Sequence, residues 1–156
     1  EARTYRYLIF NRASRSGLLA HRATWIHRPL DAERMALAAA APEGEHDFSA
    51  FRAAECQAKS PIRRLERLTV ARSGDWLAIE ATANAFLHHM VRNIVGSLLL
   101  IGRGEQPVEW MAELLADRDR HVAGPTAPAS GLTFLGPRYE VHWGLPAEVC
   151  LKEAGQ

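Results

Sequence analysis

Polar and apolar positions alternate from Tyr5 to Phe10. Tyr5, Tyr7 and Ile9 fall on one side and Arg6, Leu8 and Phe10 on the other, a period of two that predicts a strand. The polar run Asn11 to Gly17 reads as a loop, and Thr24 to His27 as a short extended piece stopped by Pro29. Asp31 is placed to cap an Ala-rich helix over Ala32 to Ala41, closed by Pro42 and Gly44. Ile62 to Arg72 and Trp76 to Ala83 are strand-like runs joined by Ser73-Gly74-Asp75, which predicts a β-hairpin. Asn84 is a second potential cap, for a helix over Ala85 to Ile101. Its Phe86, Leu87, Met90, Val91, Ile94, Val95, Leu98 and Leu99 occupy most of the circumference, so this helix belongs at the centre of its domain. Gly102-Arg103-Gly104 ends it, Gln106-Pro107 opens a more amphipathic helix from Val108 to about Ala116, and Thr133 to Trp143 reads as a last strand interrupted by Gly136-Pro137. This order implies an α+β fold, a mainly antiparallel sheet with helices packed on one face.

Composition narrows the class. With 156 residues, 47% hydrophobic and 24% charged, the chain matches one ordinary globular domain and excludes disorder. The apolar run Val95 to Ile101 is far short of a bilayer span, and Cys56 and Cys150 have no spacing that suggests a disulfide framework or zinc site, so a cytoplasmic setting is expected. The chain opens at Glu1 without an initiator Met or an apolar leader, which reads as a piece cut from something longer. A net charge of +1 conceals a bias, since Lys59 and Lys152 are the only lysines among 19 basic residues. Two stretches, Glu1 to Leu30 and Arg52 to Arg72, are locally basic, while acids gather from Glu105 to Asp119. That distribution permits a polyanionic partner, and it equally fits a solvated face or a compositional preference for arginine.

Arg92 stands out among the apolar residues of the central helix. An arginine cannot lose its proton to escape burial, so an inward Arg92 needs a carboxylate or phosphate partner; outward, it would share a solvent stripe with His88 and Asn93. Gly96, one turn onward, leaves room for another backbone or a ligand. His88 and His89, adjacent on a helix, would project about 100° apart and lack the spacing of a helical metal pair. No phosphate-binding glycine loop or nucleophile elbow occurs. Phe48-Ser49-Ala50-Phe51 offers two aromatics three apart, suited to packing or, less simply, to base stacking.

The segment Asn84-Ala85-Phe86-Leu87-His88-His89-Met90-Val91-Arg92-Asn93-Ile94-Val95-Gly96-Ser97-Leu98 closely resembles the central helix in the C-terminal half of the bacterial tRNA pseudouridine synthase A family. The resemblance extends to Tyr5-Arg6-Tyr7, to Pro29-Leu30-Asp31-Ala32-Glu33-Arg34-Met35, to Asp47-Phe48-Ser49-Ala50-Phe51-Arg52 and to Ala127-Pro128-Ala129-Ser130-Gly131-Leu132. It implies isomerisation of uridine to pseudouridine in the anticodon arm of tRNA, without metal or organic cofactor, by a homodimer that shares a tRNA between subunits. By the same resemblance Tyr5 stacks on the flipped base, Leu132 lies across from it, and Arg92 pairs with the catalytic aspartate, which displaces the solvated reading of that residue. Arg3, Arg6, His88 and Arg52 are candidate tRNA contacts. Holding a flipped uracil between flat and apolar surfaces, beside a carboxylate kept ionised by a cation, is chemically sensible.

One departure is decisive. The family nucleophile lies in a Gly-Arg-Thr-Asp motif, and Asp31, Asp47, Asp75, Asp117 and Asp119 all lack that context; Asp117-Arg118-Asp119-Arg120 is a decoy. The expectation is therefore a single domain over residues 1–156, equivalent to the half that completes the catalytic cleft and inactive without its N-terminal half. A non-catalytic RNA-binding or dimerisation module is the alternative. A smaller departure is Phe134, where the family commonly has an aliphatic residue.

Overall fold

The computed structural model describes residues 2–14 and 23–136. Its elements run β1 (Arg3–Asn11), β2 (Thr24–Ile26), α1 (Ala32–Ala39), β3 (Gly44–Asp47), β4 (Ile62–Ser73), β5 (Trp76–Ala83), α2 (Met90–Gly102), α3 (Trp110–Asp117) and β6 (Leu132–Gly136). The sheet order is β2-β1-β5-β4-β3, with β6 also paired to β1. All pairings are antiparallel except β1 with β2. Strand β1 is the hub: β5 takes one edge, and β6 and β2 share the other, β6 beside residues 4–7 and β2 beside residues 9–11. The helices cover one face, giving the expected α+β architecture.

Alternation along β1 decides which side chains enter the core. Tyr7 and Ile9 are fully buried with Leu65, Leu77 and Ile79 from the sheet and with Met35, Ile94, Leu98 and Ile101 from the helices. Truncating one of the large aliphatics here to Ala costs about 2–5 kcal/mol. Leu8, Phe10, Ala23 and Ala78 form a small cluster on the opposite face. Asp31 caps α1 as expected, accepting from the Arg34 backbone N–H at 3.1 Å. The hairpin also forms as expected, with Gly74 in the left-handed conformation (φ 58°) that its turn requires.

Several boundaries differ from the sequence expectation. Asn11 belongs to β1 rather than to the following loop, and its side chain holds the Ile26 and Arg28 carbonyls. The first helix stops at Ala39, two residues early, and the third begins at Trp110, two residues late. Strand β3 has no counterpart in the sequence expectation, where Gly44 only helps to close the first helix; Glu45, His46 and Asp47 have little strand propensity, and pairing with β4 at the sheet edge imposes the extended form. The central helix begins at Met90, not Ala85. Asn84 accepts from the backbone N–H groups of Arg64 and Ala85, so it ties the end of β5 to β4 instead of capping a helix. His89 at φ 60° then turns the chain into α2. Periodicity could not reveal this, since Phe86 and Leu87 find apolar surroundings from an irregular segment as well as from a helix. Helix α2 ends at Gly102, one residue beyond the expected Ile101. Strand β6 begins one residue early; the remainder of the predicted last strand, together with Cys150, lies outside the described residues. No helix among the described residues is long and apolar enough to cross a membrane.

Candidate active site

A cavity of about 330 Å³ opens where the N-terminal part of β1, the 84–89 segment, the first turn of α2 and the start of β6 meet. Its lining brings together Tyr5, Leu132, Arg92 and His88, which are 40 or more residues apart in sequence, except for the last two. Tyr5 reaches the cavity because residue 5 lies on the same side of β1 as Tyr7 and Ile9. Phe86 meets its ring edge-on at 5.1 Å between centroids, and Phe134, its cross-strand neighbour on β6, meets it at 5.1 Å with a 49° tilt. Phe134 is therefore part of the aromatic group around Tyr5 and half exposed, not misfit core.

Leu132 is carried in by a tight passage over β1. A Cβ at Gly131 would lie 2.7 Å from the Leu8 carbonyl oxygen and 2.8 Å from the Tyr7 ring, so only glycine permits that approach. Beneath it, the Tyr7 hydroxyl donates to the Pro128 carbonyl at 2.5 Å and shares a hydrogen bond with Thr24, which in turn meets Ser130 at 3.0 Å. Burial pushes the Tyr7 phenol above its usual range, against smaller opposing effects of Thr24 and the Arg92 charge, so it remains a neutral donor.

Arg92 is half-buried on the first turn of α2. Its Nε donates to the Ala127 carbonyl at 2.8 Å, and its own carbonyl accepts from the Ala127 N–H at 3.1 Å. No described residue forms a hydrogen bond with its two Nη groups, whose donors suit a carboxylate in bidentate fashion. The solvent-stripe reading fails because His88 precedes the helix and Asn93 is buried. Gly96 does serve close approach: a Cβ there would lie 1.7 Å from the Pro125 carbonyl oxygen. Ala127, which holds Arg92, and Tyr7, which holds the Pro128 carbonyl ahead of Leu132, have no local signal for these tasks, since their contacts arise only when distant segments meet.

The remaining candidates divide. His88 is exposed on the rim, with Nε2 3.6 Å from Glu55, and its ring stacks on His89 at 3.9 Å. Burial, then the charges of His88 and Arg92, holds His89 below its ordinary range, leaving it neutral at pH 7. Glu55, His88 and His89 have ligand atoms within 4.8 Å of one another, a grouping the helical argument could not foresee. Imidazole lone pairs lie in the ring planes, and two rings stacked with centroids 3.9 Å apart and a 26° tilt point their lone pairs side by side rather than at a shared point roughly 2 Å from each nitrogen. The cluster as built thus does not converge on an ion.

Arg52 turns back on its own loop, donating to the Cys56 and Ala58 carbonyls. Arg3 is exposed at the start of β1; Arg6 faces the opposite side of the sheet from Tyr5, opposite Glu80. Phe48 and Phe51 are fully buried, which assigns them to packing. None of the five aspartates lines the cavity. Asp31 caps α1, Asp47 accepts from the Ser49 backbone and hydroxyl, Asp119 accepts from the His121 N–H, and Asp75 lies at the hairpin.

Residues 38–140 match the family model described as tRNA pseudouridine synthase. The chain is 57% identical over 148 residues to tRNA pseudouridine synthase A of Xanthomonas campestris pv. campestris (strain B100), covering 95% of this chain and 58% of that protein. It is likewise 57% identical over 150 residues to tRNA pseudouridine synthase A of Stenotrophomonas maltophilia (strain R551-3), covering 96% of this chain and 59% of that protein. The chain thus spans less than two thirds of the length of the curated relatives it matches.

Proposed function

Because the chain belongs to the tRNA pseudouridine synthase family, we propose that it is the cleft-completing part of an enzyme that isomerises uridine to pseudouridine in the anticodon arm of tRNA. The observation that carries this reading is the convergence of Tyr5, Leu132 and Arg92 on one cavity that has a free guanidinium edge and no aspartate. A flipped uracil fits between the Tyr5 ring and the Leu132 side chain, two surfaces that hold it without reading a second base. The Arg92 Nη donors face the position a carboxylate must occupy, favour its ionised form and orient it toward the uridine. That carboxylate attacks the uridine, the C1′–N1 glycosidic bond breaks, the uracil rotates between its two walls, C1′ bonds to C5, and the bond to the carboxylate breaks again as C5 loses its proton and N1 takes one up. No step requires a metal or organic cofactor. In this reading a second segment of the enzyme supplies the carboxylate, the active species is a homodimer in the cytoplasm, and Arg3, Arg6, His88 and Arg52 are candidate contacts to tRNA.

The test compares the 156-residue chain with a longer form carrying the additional segment of its relatives, using an anticodon-arm RNA and scoring pseudouridine directly. Conversion by the longer form alone is expected. Conversion by the short chain removes the claim that it lacks the nucleophile. RNA binding with no conversion by either form supports the alternative, a non-catalytic binding module.

A further inference from the structure

The Arg92 guanidinium is held by a carbonyl, not by a carboxylate, and the carbonyl belongs to the irregular 124–128 segment, which crosses α2. The crossing is backbone against backbone. The missing side chain of Gly96 makes room for the Pro125 carbonyl, and a Cβ at Gly124 would lie 2.8–2.9 Å from Gly96 and Ser97 backbone atoms. Such contact brings the two segments together but does not fix how far one slides along the other. Direction comes from hydrogen bonds. The Gly124 N–H donates to the Ser97 hydroxyl at 2.9 Å, the Ala127 N–H donates to the Arg92 carbonyl at 3.1 Å, and Arg120 ties the stretch between them to α2.

The Arg120 guanidinium spans the crossing. Its Nη1 donates to the Gly124 carbonyl at 2.9 Å, and its Nη2 donates to Asn93 Oδ1 at 2.9 Å and to the Thr126 hydroxyl at 3.1 Å. The Thr126 hydroxyl also donates to Asn93 Oδ1 at 2.6 Å, while the buried Asn93 amide donates to the Phe51 carbonyl at 2.8 Å. Asn93 adjoins Arg92 on α2, and Thr126 adjoins Ala127 on the crossing segment. One guanidinium therefore fixes the neighbours of both partners in the Arg92–Ala127 bond, yet does not itself line the cavity.

We propose that Arg120 is a positioning residue: through Asn93, Gly124 and Thr126 it sets the Ala127 carbonyl that aims Arg92 into the cavity. The catalytic consequence rests on the role proposed above for Arg92; the geometric claim does not. It also gives a task to the last member of Asp117-Arg118-Asp119-Arg120, which has no place in the chemistry.

The test reads Arg92 directly. In the 15N-labelled 156-residue chain, the Arg92 Nε–H signal is identified by its loss in Arg92→Lys, and its exchange with water is measured. Arg120→Gln is expected to speed that exchange about tenfold or more, and Thr126→Val about threefold, since the latter removes fewer of the bonds that exclude water. Asp31→Ala, which weakens the distant α1 cap, should leave the signal unmoved. Unchanged Arg92 exchange in Arg120→Gln overturns the proposal; if that variant does not fold, Thr126→Val decides in the same way. Equal acceleration by Asp31→Ala reduces the effect to general loosening and also overturns it. In the longer form, Arg120→Gln should lower kcat about tenfold or more with KM within about twofold, because misaiming by an ångström affects the transition state more than binding. An unchanged kcat despite faster Arg92 exchange defeats the positioning role. Absence of any conversion by the unaltered longer form defeats the proposed activity while leaving the exchange result to judge the geometry.

Discussion

Arg92 and Glu80 show two outcomes for a charged group carried into the fold. Arg92 keeps its charge and gains a carbonyl at Nε, with a fork left open toward the cavity. Lys cannot reproduce both contacts, so Arg92→Lys in the longer form should reduce kcat at least about a hundredfold, equivalent to roughly 2.7 kcal/mol of transition-state stabilisation. Steady-state kinetics beside a melting curve checks this; a variant with near-native kcat refutes the carboxylate-pairing role. Glu80 meets burial by the other route. It is 3% exposed on β5 with Oε2 unpartnered, and burial pushes its pKa up to about 7 despite Arg6 and Arg67 nearby. The folded state then holds a proton that the unfolded chain, at its ordinary 4.5, releases earlier. The associated stabilisation is complete below about pH 4.5 and disappears as pH rises through about 7, a loss on the order of 1–3 kcal/mol. Glu80→Gln should flatten that part of the stability profile and raise the melting temperature at pH 8; denaturant titrations at pH 5, 6, 7 and 8 would expose a profile that stays sloped. Tyr5, Leu132 and Arg92 could be picked out from their motifs. Glu80 could not, because nothing local distinguishes a buried glutamate on β5 from the polar member of an alternating strand.

Elements with strong local signals formed where the sequence placed them: the Asp31 cap, the Gly74 turn and the alternation in β1 all depend on neighbours in sequence. Those that missed depend on partners far away. Strand β3 is extended because β4 offers it hydrogen bonds, and α2 starts at Met90 because the preceding segment is tied to β4 and turned by His89. The late start matters for the site, since it frees Phe86 to meet Tyr5 and moves His88 to the rim. Gly96 lies between the two cases: its room for a second backbone was legible, but the identity of that backbone was not. Gly96→Ala brings a methyl against the Pro125 carbonyl, which belongs to backbone and cannot rotate away. Loss of more than about 3 kcal/mol is expected despite the gain in helix propensity. A chemical-denaturation midpoint close to that of the unaltered chain would show that the 124–128 segment can lift from α2 without cost.

At the scale of the whole molecule, the arginine bias divides by what each side chain holds. Arg34 donates to the Ile101 and Gln106 carbonyls, Arg52 to those of Cys56 and Ala58, Arg63 to those of Ser60 and Ile62, and Arg72 to those of Gly74 and Leu30. With Arg92 and Arg120, these residues use the planar fork to bind loops and strand ends together, a task that lysine performs poorly. An arginine committed to backbone carbonyls has fewer donors left for phosphate, so the basic stretches overstate the surface available to tRNA. Among the described arginines, Arg12, Arg103 and Arg118 face Asp75, Glu105 and Asp47, while Arg3, Arg28, Arg64 and Arg67 are exposed and hold neither a carbonyl nor an acid, which leaves about four of them for phosphate. For that number, the affinity of the 156-residue chain for an anticodon-arm RNA should fall about 10- to 100-fold between 50 and 200 mM salt. Fluorescence anisotropy across that range measures the slope. A fall of a thousandfold or more would mean that further basic residues, Arg52 among them, reach phosphate as well, and a flat response would mean that this part of the enzyme meets tRNA only through the cavity. The net charge of +1 favours the shallow slope, since acids near α3 oppose any general attraction and leave recognition to a few exposed cations.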